Sequence, residues 1–446
     1  MYVSDVKFKD VRGFESLNFH FERPRNTYSG WTVIVGGNAS GKSTVLKGIA
    51  LGLLGPEAGV QLAGLSPGWI RRDCLRASAE VGIVADPKLD QWKQRGNTTT
   101  EFKAGVEWEI DKLGETPSFR EIEYRNPANN RIKTAQRGLW DPNAQGWFST
   151  GFGPMRRLSG SSSESIRHTV TGGAVARYVT LFREDAALSE SEEWLKKMHS
   201  RSLELRRSDR DQIDLLTQGV KMLLSDGLLP YGMKIDEITV DHVFVTDSKG
   251  TKLPMREISD GCRGVYATVL DLVHGLYEVY GSEELFKTDS EGHVTVPVPG
   301  VVLIDEVEAH LHPTWQRELP LWLKSRFPNI QFIVTTHSPL VAQAADRNGV
   351  FLLPSRDDVN QQPRQLSSAE YDRVIWGSAH KTVLGVAFGL STTRSQWAND
   401  QIEKWKRLDA KKHAGARLTT SEEKSHQRLA QKLQAVMLDP HEIGDK

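Results

Sequence analysis

From Tyr2 to Phe21 apolar and polar residues largely alternate, interrupted at Arg12-Gly13-Phe14, which predicts two short strands joined by a turn. Trp31 to Val35 forms a third strand that runs straight into a glycine-rich turn, and the spacing then lengthens. Val45, Leu46, Ile49 and Leu53 recur at helical intervals between Ser43 and Leu54. Residues 78–135 return to alternation broken by polar loops, the pattern of antiparallel strands, and residues 159–173 (SGSSSESIRHTVTGG) predict a mobile loop. Residues 189–225 predict helix, with Ser189 or Ser191 as N-cap and a stop at Asp226-Gly227. A strand pair follows, Ile235–Val240 and Val243–Val245, turning at Asp247-Ser248-Lys249-Gly250. Residues 277–299 are polar and loop-like. Val301–Ile304 and Ile330–Thr335 are short continuous apolar runs, expected as parallel strands buried on both faces with a helix between them. The tail from 394 to 446 is charged and helical, with Trp397, Ile402, Trp405 and Leu408 along one stripe and Leu429, Leu433 and Val436 along another.

A chain of 446 residues with this punctuation predicts two or three lobes. We divide it at 1–160, 161–230 (a helical insert), 231–360 and 361–446. Lys+Arg and Asp+Glu stand at 57 each, so no net field draws it to nucleic acid or to an anionic membrane. Cys74 and Cys262 are too few for a disulfide framework or a cysteine zinc site, and the expected setting is the reducing cytoplasm. No apolar run approaches the roughly 20 residues that span a bilayer.

The chemistry begins at Gly36-Gly37-Asn38-Ala39-Ser40-Gly41-Lys42-Ser43, followed by Thr44. A strand enters this G-x-x-x-x-G-K-S turn and a helix leaves it, the context of a phosphate loop. Backbone amides and the helix N-terminus would hold the phosphates of ATP, with Gly36, Asn38, Ser40, Gly41 and Thr44 lining the turn. Lys42 would reach the β- and γ-phosphates and the Ser43 hydroxyl would ligate Mg2+. Asp305 stands at the end of the first buried strand, where P-loop enzymes hold the magnesium. Glu306 follows it, placed to orient or deprotonate the attacking water. His337, just past the next strand, is the expected γ-phosphate sensor. Glu308, His310 and His312 lack convincing further ligands for a metal site.

Ile258-Ser259-Asp260-Gly261-Cys262-Arg263-Gly264 opens a helix upstream of Asp305. It resembles a degenerate ABC signature, with Ser259 and Gly261 at the Ser and Gly of LSGGQ. That resemblance implies an α/β ABC-ATPase head: a P-loop mixed sheet with an antiparallel β subdomain, plus a helical insert and a helical C-terminal region. It also implies that Ser259 and Gly261 of one copy close over ATP held by another, and that residues 308–313 form the D-loop facing the partner. A helix cap is the plainer reading of Ser-Asp-Gly.

Together, GxNxSGKS, SDGxR, LIDExExHLHP and FPNIQFIVTTHSP resemble the OLD-like and RecF-like soluble ATPases. More narrowly they resemble the Septu antiphage ATPases (PtuA) and their retron-associated relatives. Gly151 to Arg157, Val179 to Glu184 and Trp194-Leu195 carry the narrower likeness over roughly residues 1–345. It implies an oligomer on Mg-ATP that serves a separate nuclease, HNH-type if Septu-like, with nucleic acid reached through the complex. The sequence shows no acidic cluster of a Toprim nuclease after His337, and Asp346 and Asp357-Asp358 read as solvated loop. Two other readings stand beside this one. A DNA-repair ATPase would use Arg71-Arg72, Arg156-Arg157 and Arg206-Arg207 on phosphate. A transporter motor would need a membrane chain, and the SDGxR/HLHP pattern argues against it.

Overall fold

The computed structural model describes residues 1–437 except 25–26, 65–66, 93–98, 111–117, 157–172, 185, 187, 205–206, 284, 355–361, 386 and 390–391. The loop expected at 159–173 lies almost wholly outside the described residues, as do Arg157, Arg206 and Asp357-Asp358. Two compact units form, Met1–Thr382 and Val383–Lys446.

In the first unit the predicted alternation closes an antiparallel sheet. β1 (Tyr2–Val11), β2 (Phe14–His20), β4 (Arg76–Val84), β5 (Glu101–Glu109) and β6 (Ser118–Glu121) pair in the order β2-β1-β4-β5-β6. Val6 and Phe8 point into a core with Val81, Val106 and Trp108, while Lys7 and Lys9 face solvent. A short hairpin of β7 (Tyr124–Arg125) and β8 (Arg131–Ile132) follows.

The second sheet runs β18-β17-β3-β16-β15-β9, built from β3 (Gly30–Val35), β9 (Ser149–Phe152), β15 (Gly300–Ile304), β16 (Ile330–Thr335), β17 (Val350–Leu352) and β18 (Arg364–Gln365). Its five strands from β17 to β9 are parallel and β18 is antiparallel at the edge. β15 and β16 are buried at every residue, as their continuous apolar runs require. Buried Gln331 of β16 joins the two sheets: it accepts from Val3 N (2.7 Å) and donates to Val3 O (2.8 Å). The β1–β4 register slips between Val3 and Asp5, where this side-chain amide takes over from the ladder.

Helix α1 (Lys42–Ala63) runs past the predicted end at Leu54 but breaks at Gly55, whose φ is 77°. Pro56 has no N–H for the carbonyl of Gly52, and the Trp140 indole N–H donates there instead (3.1 Å). α2 (Ser189–Glu204) and α3 (Arg207–Ser225) form the expected helical pair. Ser191 does not cap α2; its buried hydroxyl donates to Asp271 of α4 (Asp260–Tyr280). The predicted strand pair gains a third member: β10 (Lys234–Ile238), β11 (Val243–Thr246) and β12 (Lys252–Pro254) form one sheet. The turn at 247–250 joins β11 to β12, with Asp247 accepting from Lys249 N (2.9 Å) and Thr251 N (2.8 Å).

The stretch 277–299 corrects the loop expectation. α4 continues to Tyr280, and β13 (Lys287–Thr288) pairs with β14 (Val294–Thr295) while Val294, Val296 and Val298 are buried. α5 (Pro313–Arg326) connects β15 to β16, and α6 (Ser368–Trp376) follows β18. Asp346 is no solvated loop residue: it accepts from Trp31 N (2.6 Å) and Arg23 (3.0 Å) and pairs with Lys324. The second unit contains α7 (Gln396–His413) and α8 (Thr420–Met437). There Leu408 and Leu429 are buried and Trp405 stacks on His426, while Trp397 stays 67% exposed.

Candidate functional site

The glycine-rich turn sits where β3 ends and α1 begins, with Ala39 and Gly41 at φ 60° and 95°. A Cβ on Gly41 would stand 2.5 Å from the Phe14 ring, so close packing and backbone conformation both require glycine there. Lys42 is buried and its ammonium donates to the carbonyls of Gly36 and Gly37 (both 3.0 Å). Burial pushes its pKa down, against the opposing pull of Glu306, Asp305 and Glu308. Among the described residues the buried Ser40 hydroxyl finds no hydrogen-bond partner. An orphaned donor and a lysine folded onto the turn's own carbonyls fit a site shaped for an anion. Arg12, which sequence reasoning passed over as part of a hairpin turn, lies over Trp69 (4.1 Å) and donates to Thr44 Oγ1 (3.3 Å).

β16 lies between β3 and β15, so residues that follow these three strands emerge at one edge of the sheet. Thr335 donates to the buried Asp305 carboxylate and accepts from Glu306 N (2.8 Å). Glu306 is half-buried and takes φ 45°, a strained conformation for a non-glycine residue. Glu308 accepts from the Thr336 hydroxyl (2.7 Å) and from His337 N, and so ties the turn after β15 to the segment after β16. The side chain of His337 is exposed beyond that bond. Gly36, Asn38, Ser40, Gly41, Lys42, Ser43, Thr44, Asp305, Glu306 and His337 thus follow neighbouring parallel strands.

Ser259 and Gly261 lie elsewhere, at the start of α4. Ser259 is exposed and is the N-cap by position, but its hydroxyl donates to the Cys262 sulfur (3.0 Å) and caps no amide. A Cβ on Gly261 would stand 2.5 Å from the carbonyl of His310, itself at φ 64°. Within the chain, then, Gly261 serves close packing of α4 on the 306–311 loop. Beside that contact runs a small, largely apolar crevice lined by Val265, Val269, Ile304, Leu311 and Phe332. His312 caps α5, accepting from Thr314 N (3.4 Å), with Pro313 at the first helical position. Among the described residues no His, Cys, Asp and Glu group is arranged to hold a metal by itself.

The family model "AAA domain, putative AbiEii toxin, Type IV TA system" matches residues 31–342, which spans the glycine-rich turn, both buried strands and the candidate site residues after them. The chain belongs to this AAA-domain family. Relatives of this AAA-domain chain include "Retron Ec83 probable ATPase" of Escherichia coli, 24% identical over 402 residues, 79% of this chain and 71% of the relative. "Septu protein PtuA" of Bacillus thuringiensis is 30% identical over 171 residues, 38% of this chain and 41% of the relative. "Septu protein PtuA" of Bacillus mycoides (strain KBAB4) is 24% identical over 339 residues, with 76% of this chain and 38% of the relative covered. The matched segments therefore cover less than half the length of either Septu protein. The resemblance to Septu and retron ATPases drawn from the motifs holds. Among solved structures, an SMC head bound to the C-winged helix domain of ScpA aligns at TM-score 0.48 and 13% identity, covering 82% of this chain and 98% of that one. The SMC head domain from Thermotoga maritima aligns at 0.41 and 14%, covering 82% and 100%. No helix among the described residues is long and apolar enough to cross a membrane.

Proposed function

We propose that this chain hydrolyses ATP with Mg2+, closes on a second copy of itself across the nucleotide, and gates a separate nuclease in antiphage defence. The observation that carries the reading is the gathering of Lys42, Asp305 and Glu306 around one anion-shaped turn at the ends of the parallel strands β3 and β15, which flank β16. Ser43 and Asp305 would hold Mg2+, which supplies charge neutralisation at the phosphates. Glu306 would take a proton from the attacking water and His337 would donate to the γ-phosphate oxygens. Exposed Ser259 fits a surface that meets a partner copy's nucleotide, and freeing its hydroxyl from Cys262 would be part of that closure. The nuclease role is supported by the Septu and retron relatives; an HNH-type chain is the partner the resemblance implies. The second reading, direct DNA binding, loses two of its candidates: Arg71 pairs with Glu15 (3.1 Å) and Asp10 (3.8 Å), and Arg156 turns inward.

The test is a comparison of wild type, Lys42→Ala and Glu306→Gln by fluorescent-nucleotide binding, phosphate release and light scattering. Lys42→Ala should lose ATP affinity about a hundredfold or more. Glu306→Gln should bind ATP, hydrolyse it about a hundredfold more slowly, and accumulate as an oligomer. Wild-type ATP binding by Lys42→Ala would sink the site assignment, and a Glu306→Gln chain monomeric in ATP would sink the closure.

A further inference from the structure

Arg156 follows β9, the strand beside β15, and among the described residues its guanidinium bonds to main-chain carbonyls and to no carboxylate. Nη1 donates to Gly153 O (3.1 Å) and Asp305 O (3.0 Å), and Nη2 donates to Glu306 O (3.1 Å) and Val307 O (3.1 Å). Three consecutive carbonyls aimed at one point demand a sharply bent chain, and the bend is the left-handed Glu306. Such a conformation is costly for a non-glycine residue and persists only where its surroundings over-determine it. A planar fork with several fixed donors suits that task, whereas an ammonium offers three donors from a single atom. Desolvation pushes the Arg156 pKa down to about 10, against the pull of Glu308, Asp305 and Glu306. The group nevertheless stays charged at neutral pH. On its other side, the Arg156 carbonyl would stand 3.1 Å from a Cβ placed on Gly264 of α4. The same residue therefore touches the signature-like helix and braces the turn that holds the general base.

We propose that Arg156 is a positioning residue for ATP hydrolysis: it fixes the carbonyls of residues 305–307 so that the Glu306 carboxylate faces the attacking water, without itself meeting nucleotide. This rests on the Mg-ATP reading above. The substitution Arg156→Lys in the full chain keeps the charge and loses the fork. Its ATP affinity should stay within about threefold of wild type while kcat falls about a hundredfold, a split that general loss of folding would not produce. Adding Glu306→Gln to Arg156→Lys should slow hydrolysis no further than Glu306→Gln alone, because both act on one group. Gly264→Ala, a small change beside the Arg156 carbonyl, keeps the test alive if Arg156→Lys does not fold, and should lower kcat about threefold or more with affinity unchanged. Wild-type kcat in the folded variants, with Lys42→Ala unable to bind, overturns the assignment of Arg156 alone. A parallel loss of affinity and kcat also overturns it. Wild-type binding by Lys42→Ala removes the Mg-ATP reading and this proposal with it.

Discussion

Thr335 shows what a single side chain contributes here. Its hydroxyl donates to Asp305 and accepts from Glu306 N, so two acidic positions read from the motif are held by one neighbour to which the sequence reading gave no role. Thr335→Val keeps the shape and removes both bonds. We expect a loss of about 1–3 kcal/mol in stability, seen as a lower melting temperature, together with slower phosphate release, while Thr335→Ser stays near wild type. The candidate turn could be picked out of the sequence because a phosphate turn demands glycines, a lysine and a hydroxyl at fixed spacing. The roles of Thr335, Glu308 and Arg156 could not be, because their partners, backbone and side chain, are brought near only by the fold. Asp346 failed the same way: Arg23 and Lys324 lie far from it in the chain.

At the scale of elements, alternation predicted the antiparallel sheet and continuous apolar runs predicted β3, β15 and β16, since burial on one face or two is written in the period, but β9, β17 and β18 of the second sheet were not predicted. The two-residue and three-residue strands, β12 and the β13–β14 pair, are too short to show a period, and residues 277–299 were misread for that reason. The break in α1 is legible afterwards in Gly55-Pro56, but its repair by Trp140 is a contact across 88 positions. Trp140→Phe leaves the Gly52 carbonyl without its donor and should cost about 1–2 kcal/mol, measured by denaturant unfolding. α6 starts with a capping box in which Ser367 and Glu370 satisfy each other's backbone amides. The hydrogen bond from Arg364, then those from Ser367, hold the Glu370 pKa at about 2 instead of 4.5. A depressed carboxylate stabilises the fold above its unfolded value. That contribution should be complete above about pH 5 and fade as pH falls towards 2. Glu370→Gln should therefore melt slightly lower than wild type at pH 7 and indistinguishably from it near pH 2, which thermal scans at the two pH values would check.

For the whole molecule, charge balance argues against direct reading of DNA. With 57 basic and 57 acidic residues, and with Arg71 and Arg156 engaged inside the chain, anisotropy titrations of the isolated chain on duplex DNA should show weak binding with a shallow salt slope. A loss of affinity of about a thousandfold between 50 and 200 mM salt would reinstate the DNA-repair reading. The overall architecture was legible from the order of phosphate turn, signature-like helix and acidic strand. How α7 and α8 bury Leu408 and Leu429 and leave Trp397 bare was not, since two apolar stripes on polar helices say nothing of which meets which.

Gln331 sets a limit on how this molecule can deform. Its amide meets the amide and carbonyl of Val3 like a key cut for one lock, so sliding β1 along β16 by a residue would strand four polar atoms in a dry interior, several kcal/mol in all. The two sheets must travel as one rigid block.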